Sequence, residues 1–234
     1  MNDGGIAVLS RSRVARAVGT VICLLIVVLF AVALLRDLRA DAAPDQGATT
    51  AVSSSEHVTQ LLAQLEVAEA DSGAGYDRDL LFGDQWLPVG ECHTRAVVLA
   101  RDLTHPQFSA RTPCRVTGGD LLDPYTETTL SYQPGTGTIE IDHVVSLFNA
   151  WTTGAQDWGA ATRIAFANDT TNLLAVSAAA NQDKGGSAAD EWTPPSAAFD
   201  CSYAAIQISI KHTYDLWVTP TEKQALTDLL QQCQ

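Results

Sequence analysis

Hydrophobic and polar positions alternate most clearly along Thr138–Leu147, TIEIDHVVSL, where Ile139, Ile141, Val145 and Leu147 fall out of phase with Glu140, Asp142, Val144 and Ser146. A period of two predicts a strand over the whole run. Leu173–Val176 reads as a second strand, and Ala178–Lys184 as a short helix stopped by Gly185 and Gly186. Helical spacing predicts further helices over Thr94–Asp102 and Ala160–Ala167, and short strands over Cys114–Thr117 and Thr128–Tyr132 flank GGDLLDPYTE, a turn-rich connection. Two helices close the chain. The first covers about 197 to 213, and the second opens at Thr219-Pro220-Thr221-Glu222, where Thr caps, Pro takes the first helical position and Glu reaches back. Near the start of the exported part, Ser53 and Glu56 have capping-box spacing, with Val58, Leu61, Leu62 and Leu65 on one face, so a helix is expected from about 54 to 69. The small polar run at 43–52, APDQGATTAV, has the composition of a linker.

One stretch is uniformly apolar. Ala17–Leu35 holds 19 residues without a charge, long enough at 1.5 Å per residue to span roughly 28 Å of bilayer core. Arg11, Arg13 and Arg16 precede it, and the positive-inside tendency places the rest of the chain outside. Ala40-Asp41-Ala42 resembles a signal-cleavage site but follows two arginines, so an uncleaved anchor is preferred over a secreted form. The expected organisation is a cytoplasmic N-terminus over 1–16, the anchor over 17–35, a linker with its helix over 36–75, and one α+β domain over 76–234.

Charge narrows the function classes. The chain carries a formal net charge of −13, and from Tyr76 onward 9 Lys and Arg face 19 Asp and Glu, a net of −10. Such a field repels nucleic acid at long range and argues against a high-affinity DNA-binding module, while leaving room for a nuclease that grips a few phosphates locally. Outside the apolar run, Cys92, Cys114, Cys201 and Cys233 are even in number on the oxidising side, and proximity favours Cys92 with Cys114 and Cys201 with Cys233. No CxxC knuckle supports zinc.

Chemistry concentrates between Ile141 and Gly186. Asp142 and His143 point to opposite faces of a regular strand, so with a bend they can address two partners, the carboxylate a metal and the imidazole a water. A neutral imidazole, with an ordinary pKa of about 6.5, can take a proton from water. Asn181 and Lys184 share a helix face, the first offering an amide oxygen to the ion and the second a charge to a phosphate, while Asn172 precedes the second strand and can hold the His ring or its loop. One carboxylate, one amide and water favour Mg²⁺ or Mn²⁺ over Zn²⁺. Glu140, on the strand face of Asp142, is a candidate second carboxylate. Trp151, Trp158 and Trp192 are assigned to packing rather than base stacking, Asn168 to a turn or helix end rather than a glycosylation sequon, Arg101 to a salt bridge, and Tyr76, Asp77 and Arg78 to a structural corner.

IDHVV, NDTTNLLAV and NQDKG together resemble the HNH nucleases with the ββα-metal motif, in the branch related to the C-terminal domain of GmrSD-type restriction endonucleases. GYDRDLLFG, CHTRAVVLARDL and LWVTPTEKQAL extend the resemblance over roughly Tyr76 to Cys233. It implies a ββα core with added helices, Asp142 and Asn181 as metal ligands, His143 as general base, Asn172 as the residue positioning that base, and Arg95 as a phosphate or transition-state clamp. Two departures stand out. Asn181 occupies the place of the last His, which weakens metal affinity and disfavours zinc, and His93 stands where an acidic residue commonly precedes Thr-Arg. The expectation is an exported, Mg²⁺- or Mn²⁺-dependent endonuclease for DNA, with RNA as a second substrate, anchored to the membrane by its N-terminal helix. The alternatives are a non-catalytic envelope binding or scaffolding domain that keeps the fold, and a hydrolase of another phosphodiester.

Overall fold

The computed structural model describes residues 46–233. The apolar run at 17–35 lies outside them, and among the described residues no helix is long and apolar enough to cross a membrane. Helix α1 covers Gln46–Gln64. It starts earlier and stops earlier than its capping signal suggested: Ser53 falls inside the helix, and Val67 leaves it to form a parallel bridge with Val218. Leu62 and Leu65 still bury in the core beside Tyr203, Ile208 and Leu226, so the apolar spacing identified the buried face while the cap pattern misplaced the ends.

Chain order continues through α2 (Arg78–Phe82), β1 (Pro88–Val89), β2 (Cys92–His93), α3 (Thr94–Asp102), β3 (Thr104–Phe108), β4 (Val116–Leu122) and β5 (Thr129–Tyr132). Strands β3, β4 and β5 form an antiparallel sheet. Here the expected Cys114–Thr117 strand is replaced by a longer one that takes in GGDLL, leaving only Asp123 to Thr128 as the turn. Glycine makes this possible. At Gly119, φ is +145°, and a Cβ would sit 3.2 Å from Leu103 Cβ and from the Thr104 carbonyl, so only glycine accommodates this close, irregular pairing.

The second half runs through β6 (Ile139–His143), α4 (Leu147–Thr152), α5 (Ala160–Ala167), β7 (Leu173–Ser177), α6 (Ala178–Lys184), α7 (Asp200–Thr213) and α8 (Pro220–Gln231). Strands β6 and β7 pair antiparallel from Ile139 with Ser177 to His143 with Leu173, and α6 follows directly, giving the strand-strand-helix order. Strand β6 ends at His143 instead of continuing to Leu147. Ser146 is the reason: its hydroxyl accepts from Asn149 N and caps α4, converting the last alternating residues into a helix start. The closing helix behaves as its sequence specifies, with a full Thr219/Glu222 capping box and Pro220 in its first turn.

Disulfides join Cys92 to Cys114 and Cys201 to Cys233, as proximity indicated. The second closes α7 onto the end of α8. A buried ion pair, Lys211 Nζ to Glu222 Oε1 at 2.9 Å, links the same two helices. Trp151 and Trp158 belong to the cluster built on Phe82, Phe166 and Leu216, and Trp192 packs beside Tyr125 and Tyr203, which bears out packing for all three.

Candidate functional site

His143 is the last residue of β6 and is 7% exposed. Its Nε2 lies 2.9 Å from the Ala167 carbonyl at the end of α5. A carbonyl only accepts, so this nitrogen carries the proton and Nδ1 keeps its lone pair. Trp86 lies nearly parallel to the imidazole, 6.2 Å between centroids at 11°, on the side of the 83–87 loop. Burial, reinforced by the positive charges of Arg78 and Lys184 and only partly opposed by the Ala167 bond, pulls the imidazole down to about 4. The ring is neutral at pH 7.

That shift has a consequence for stability. Between about 4 and the ordinary 6.5 the unfolded chain binds a proton that the folded ring refuses, so the contribution of neutral His143 is complete above 6.5 and is lost as pH falls toward 4. Its size is about 3 kcal/mol. Urea unfolding of the metal-free protein at pH 7 and pH 4.5 should therefore show a steeper acid loss in the native chain than in His143→Asn; equal losses would contradict the assignment.

Asn172, fully buried, secures the turn that follows the imidazole. Its Oδ1 accepts from Val145 N at 2.8 Å, its Nδ2 donates to Val145 O at 3.1 Å, and its carbonyl accepts from Val144 N at 2.8 Å. With both side-chain atoms used on one residue, the chain after β6 has a single path, and the ring inherits that order.

Asp142 faces the opposite way and is 5% exposed. Lys184 Nζ donates to its Oδ1 at 2.9 Å and to the His143 carbonyl at 2.8 Å, while Tyr125 Oη donates to Oδ2 at 2.5 Å. Burial pushes the carboxyl up from its usual range against the pull of both donors. Lys184, expected to offer charge to a phosphate, is instead 1% exposed and committed to this ion pair, because three helical positions beyond Asn181 its stem runs inward under β6. Asp142, expected as a free ligand, has both oxygens engaged. Tyr125 carried no local signal for this: a tyrosine in a DPYT turn reads as packing, and only the fold aims its hydroxyl at a strand 17 residues on.

Asn181 instead meets Glu140. Its Nδ2 donates to Glu140 Oε2 at 2.8 Å, and Gln182 Nε2 donates to Oε1 at 3.0 Å. These side chains, with His143 and Arg95, line one cleft of about 910 Å³. Arg78, read from sequence as structural, also lines it and is exposed. Asp77 does play the structural part, capping α2, while Arg78, the first residue of that helix, is left to the cleft. His93 takes the N-cap of α3, its Nδ1 accepting from Ala96 N at 3.4 Å, so the imidazole supplies the acceptor that a short polar side chain supplies at other helix starts. Asn168 closes α5 and accepts from Leu87 N, in keeping with a helix-end role. Arg101 pairs with Asp102 as expected of a salt bridge.

The donor set tests the expected cation. Glu140, Asp142 and Asn181 all line the cleft, with the amides of Asn181 and Gln182 already donating to both Glu140 oxygens, and among the described residues no group of three or more His, Cys, Asp or Glu is gathered. A donor set of carboxylate and amide oxygens completed by water suits Mg²⁺ or Mn²⁺, which retain much of their hydration, better than it suits tetrahedral Zn²⁺.

The fold and cleft define an α+β protein in which a strand-strand-helix unit carries one oriented imidazole and the oxygen donors, and two arginines from α2 and α3 face the same cleft. Comparison with known proteins is more specific: residues 94–229 match the family described as GmrSD restriction endonucleases, C-terminal domain, and the chain belongs to that family. It is also 38% identical over 185 residues to a protein of Arthroderma benhamiae described as an uncharacterized secreted protein, covering 78% of this chain and 87% of that one. No solved structure matches the chain.

Proposed function

We propose that the chain is an exported, metal-dependent endonuclease that hydrolyses the phosphodiester bonds of DNA, and of RNA as a second substrate, with a water activated by His143. The observation that carries this reading is the imidazole itself: Nε2 is tied to the Ala167 carbonyl, leaving Nδ1 as acceptor beside a cleft that also holds Arg95, Glu140 and Asn181. His143 takes a proton from water as its oxygen bonds to phosphorus and the ester oxygen departs with the former bond pair. Asn172 holds the segment that aims the ring. Arg95 and Arg78 neutralise the phosphate oxygens as charge builds on them. Asp142 and Asn181, with Glu140 beside Asn181, would hold the divalent ion, which when bound supplies charge stabilisation for the leaving oxygen. Family membership supports nuclease chemistry, and the two disulfides together with the secreted relative support a location outside the cytoplasm.

One feature favours the second reading, a binding domain without catalysis: Asp142 already has a cation, Lys184, in hydrogen-bond contact. Incubating the purified protein with supercoiled plasmid and Mg²⁺ or Mn²⁺ separates the two. Nicking that appears with metal and disappears with chelator is the expected result. No nicking with either metal between pH 5 and 9 would select the binding domain.

A further inference from the structure

Among the nine Lys and Arg from Tyr76 onward, four have fixed structural partners. Arg101 is paired with Asp102, Lys184 with Asp142 and Lys211 with Glu222, and Arg163 donates to the carbonyls of Leu81, Ala155 and Trp158. Arg78, Arg95, Arg111, Arg115 and Lys223 have no carboxylate partner among the described residues.

Three of these five line two neighbouring spaces, and a fourth, Arg111, lies on the same loop as Arg115. Arg78 and Arg95 line the cleft. Arg95 also lines a neighbouring hollow of about 430 Å³, whose wall includes Arg115, Tyr132 and both cysteines of the Cys92–Cys114 bridge. Arg95 Nη1 donates to Tyr132 Oη at 3.4 Å, at the boundary between the two spaces. The loop bearing Arg111 and Arg115 is closed on itself, with Arg115 N donating to Thr112 O at 2.8 Å and Ser109 N to Arg115 O at 2.9 Å, and the disulfide fastens it to the strand just before α3. Glu91 is the carboxylate on this hollow, and it makes no ion pair with either arginine.

We infer that this hollow is a second phosphate-binding region, and that Arg78, Arg95 and Arg115, with Arg111 on the adjoining loop, form a track for a polynucleotide backbone running from the cleft past the Cys92–Cys114 disulfide. This deepens the nuclease reading and rests on it. In a domain of net charge −10, uncommitted arginines following one another along one groove create a local positive path where the mean field repels a polyanion. Guanidinium groups suit phosphate because their paired N–H donors match its oxygens. The track contributes affinity without reading sequence, since backbone contacts carry no base information. Within it, the first disulfide holds the outer arginines in register with Arg95.

The test is binding of a fluorescent 20-nucleotide DNA to the full chain in chelator, which keeps affinity separate from cleavage, at several salt concentrations. Arg115→Ala and Arg111→Ala should each weaken binding several-fold and lower the slope of log affinity against log salt by about 1, while Lys223→Ala, away from the groove, should change neither. Equal affinities and slopes for native, Arg111→Ala and Arg115→Ala proteins would overturn the track and leave the nuclease reading standing if plasmid nicking persists. Equal weakening by Lys223→Ala would reduce the effect to general charge and likewise overturn it. A heparin fragment that binds as tightly as the DNA, with the same loss in Arg115→Ala, would reassign the track to sulfated polymers. Failure to bind the DNA in a protein that also fails to nick plasmid would remove both readings.

Discussion

His143→Ala should lower the rate of phosphodiester hydrolysis by about 10²–10⁴-fold, the range that a positioned general base contributes. On the proposed mechanism the loss should fall on kcat more than on KM, because the imidazole would act on the attacking water while Arg78 and Arg95 would hold the phosphate. The pH profile separates this role from simple damage to the cleft. In the native protein the imidazole titrates at about 4, so activity should hold through mildly acidic pH and fall only as the ring takes up its proton; in the variant this acid limb should disappear from the residual rate. Folding is controlled by near-UV circular dichroism and thermal midpoint. A variant that retains native structure and more than half the native rate would remove His143 from the chemistry.

Lys184→Met should be the most destabilising single change at the site, costing about 3–5 kcal/mol, because it leaves the Asp142 carboxylate in the interior with only the Tyr125 hydroxyl and strips the His143 carbonyl of its donor. For a domain of this size that is a fall of about 10 °C in melting temperature. Pairing it with Asp142→Asn removes the orphaned charge, and the double variant should recover most of the loss. This contrast distinguishes a buried ion pair from a phosphate-binding lysine: a surface phosphate ligand would change stability by less than about 0.5 kcal/mol and need no partner change to repair it. If Lys184→Met melts with the native protein, the ion pair does not hold this part of the fold together.

Several elements were legible because their signals are local. The helices Thr94–Asp102, Ala160–Ala167 and Ala178–Lys184 have the bounds their spacing predicts, and the Thr219 cap with Pro220 needs only four consecutive residues. At Gly185, φ is +54°, so the backbone itself ends α6 where the glycine pair indicated. Where two local rules competed, the longer pattern lost: alternation carried the predicted strand to Leu147, yet the Ser146 cap ended it at His143, because a capped helix start satisfies backbone donors that an unpaired strand extension would leave open. Ser53 and Glu56 had the right spacing for a cap, but the same residues also tolerate a helix interior, and the helix ran through them.

From the order of its residues alone, this protein determined its α+β class, its strand-strand-helix succession, its two cysteine pairings and the segment that supplies most of the candidate site. Only the tertiary structure decided which side chains meet: Lys184 with Asp142 rather than with a phosphate, Asn181 with Glu140, Tyr125 with Asp142, and Arg78 with the cleft. The physical reason is range. Caps, turns and periodicity act over a few residues and are written in sequence, whereas burial and charge pairing depend on which distant segments share a space, and that is set when the chain packs as a whole.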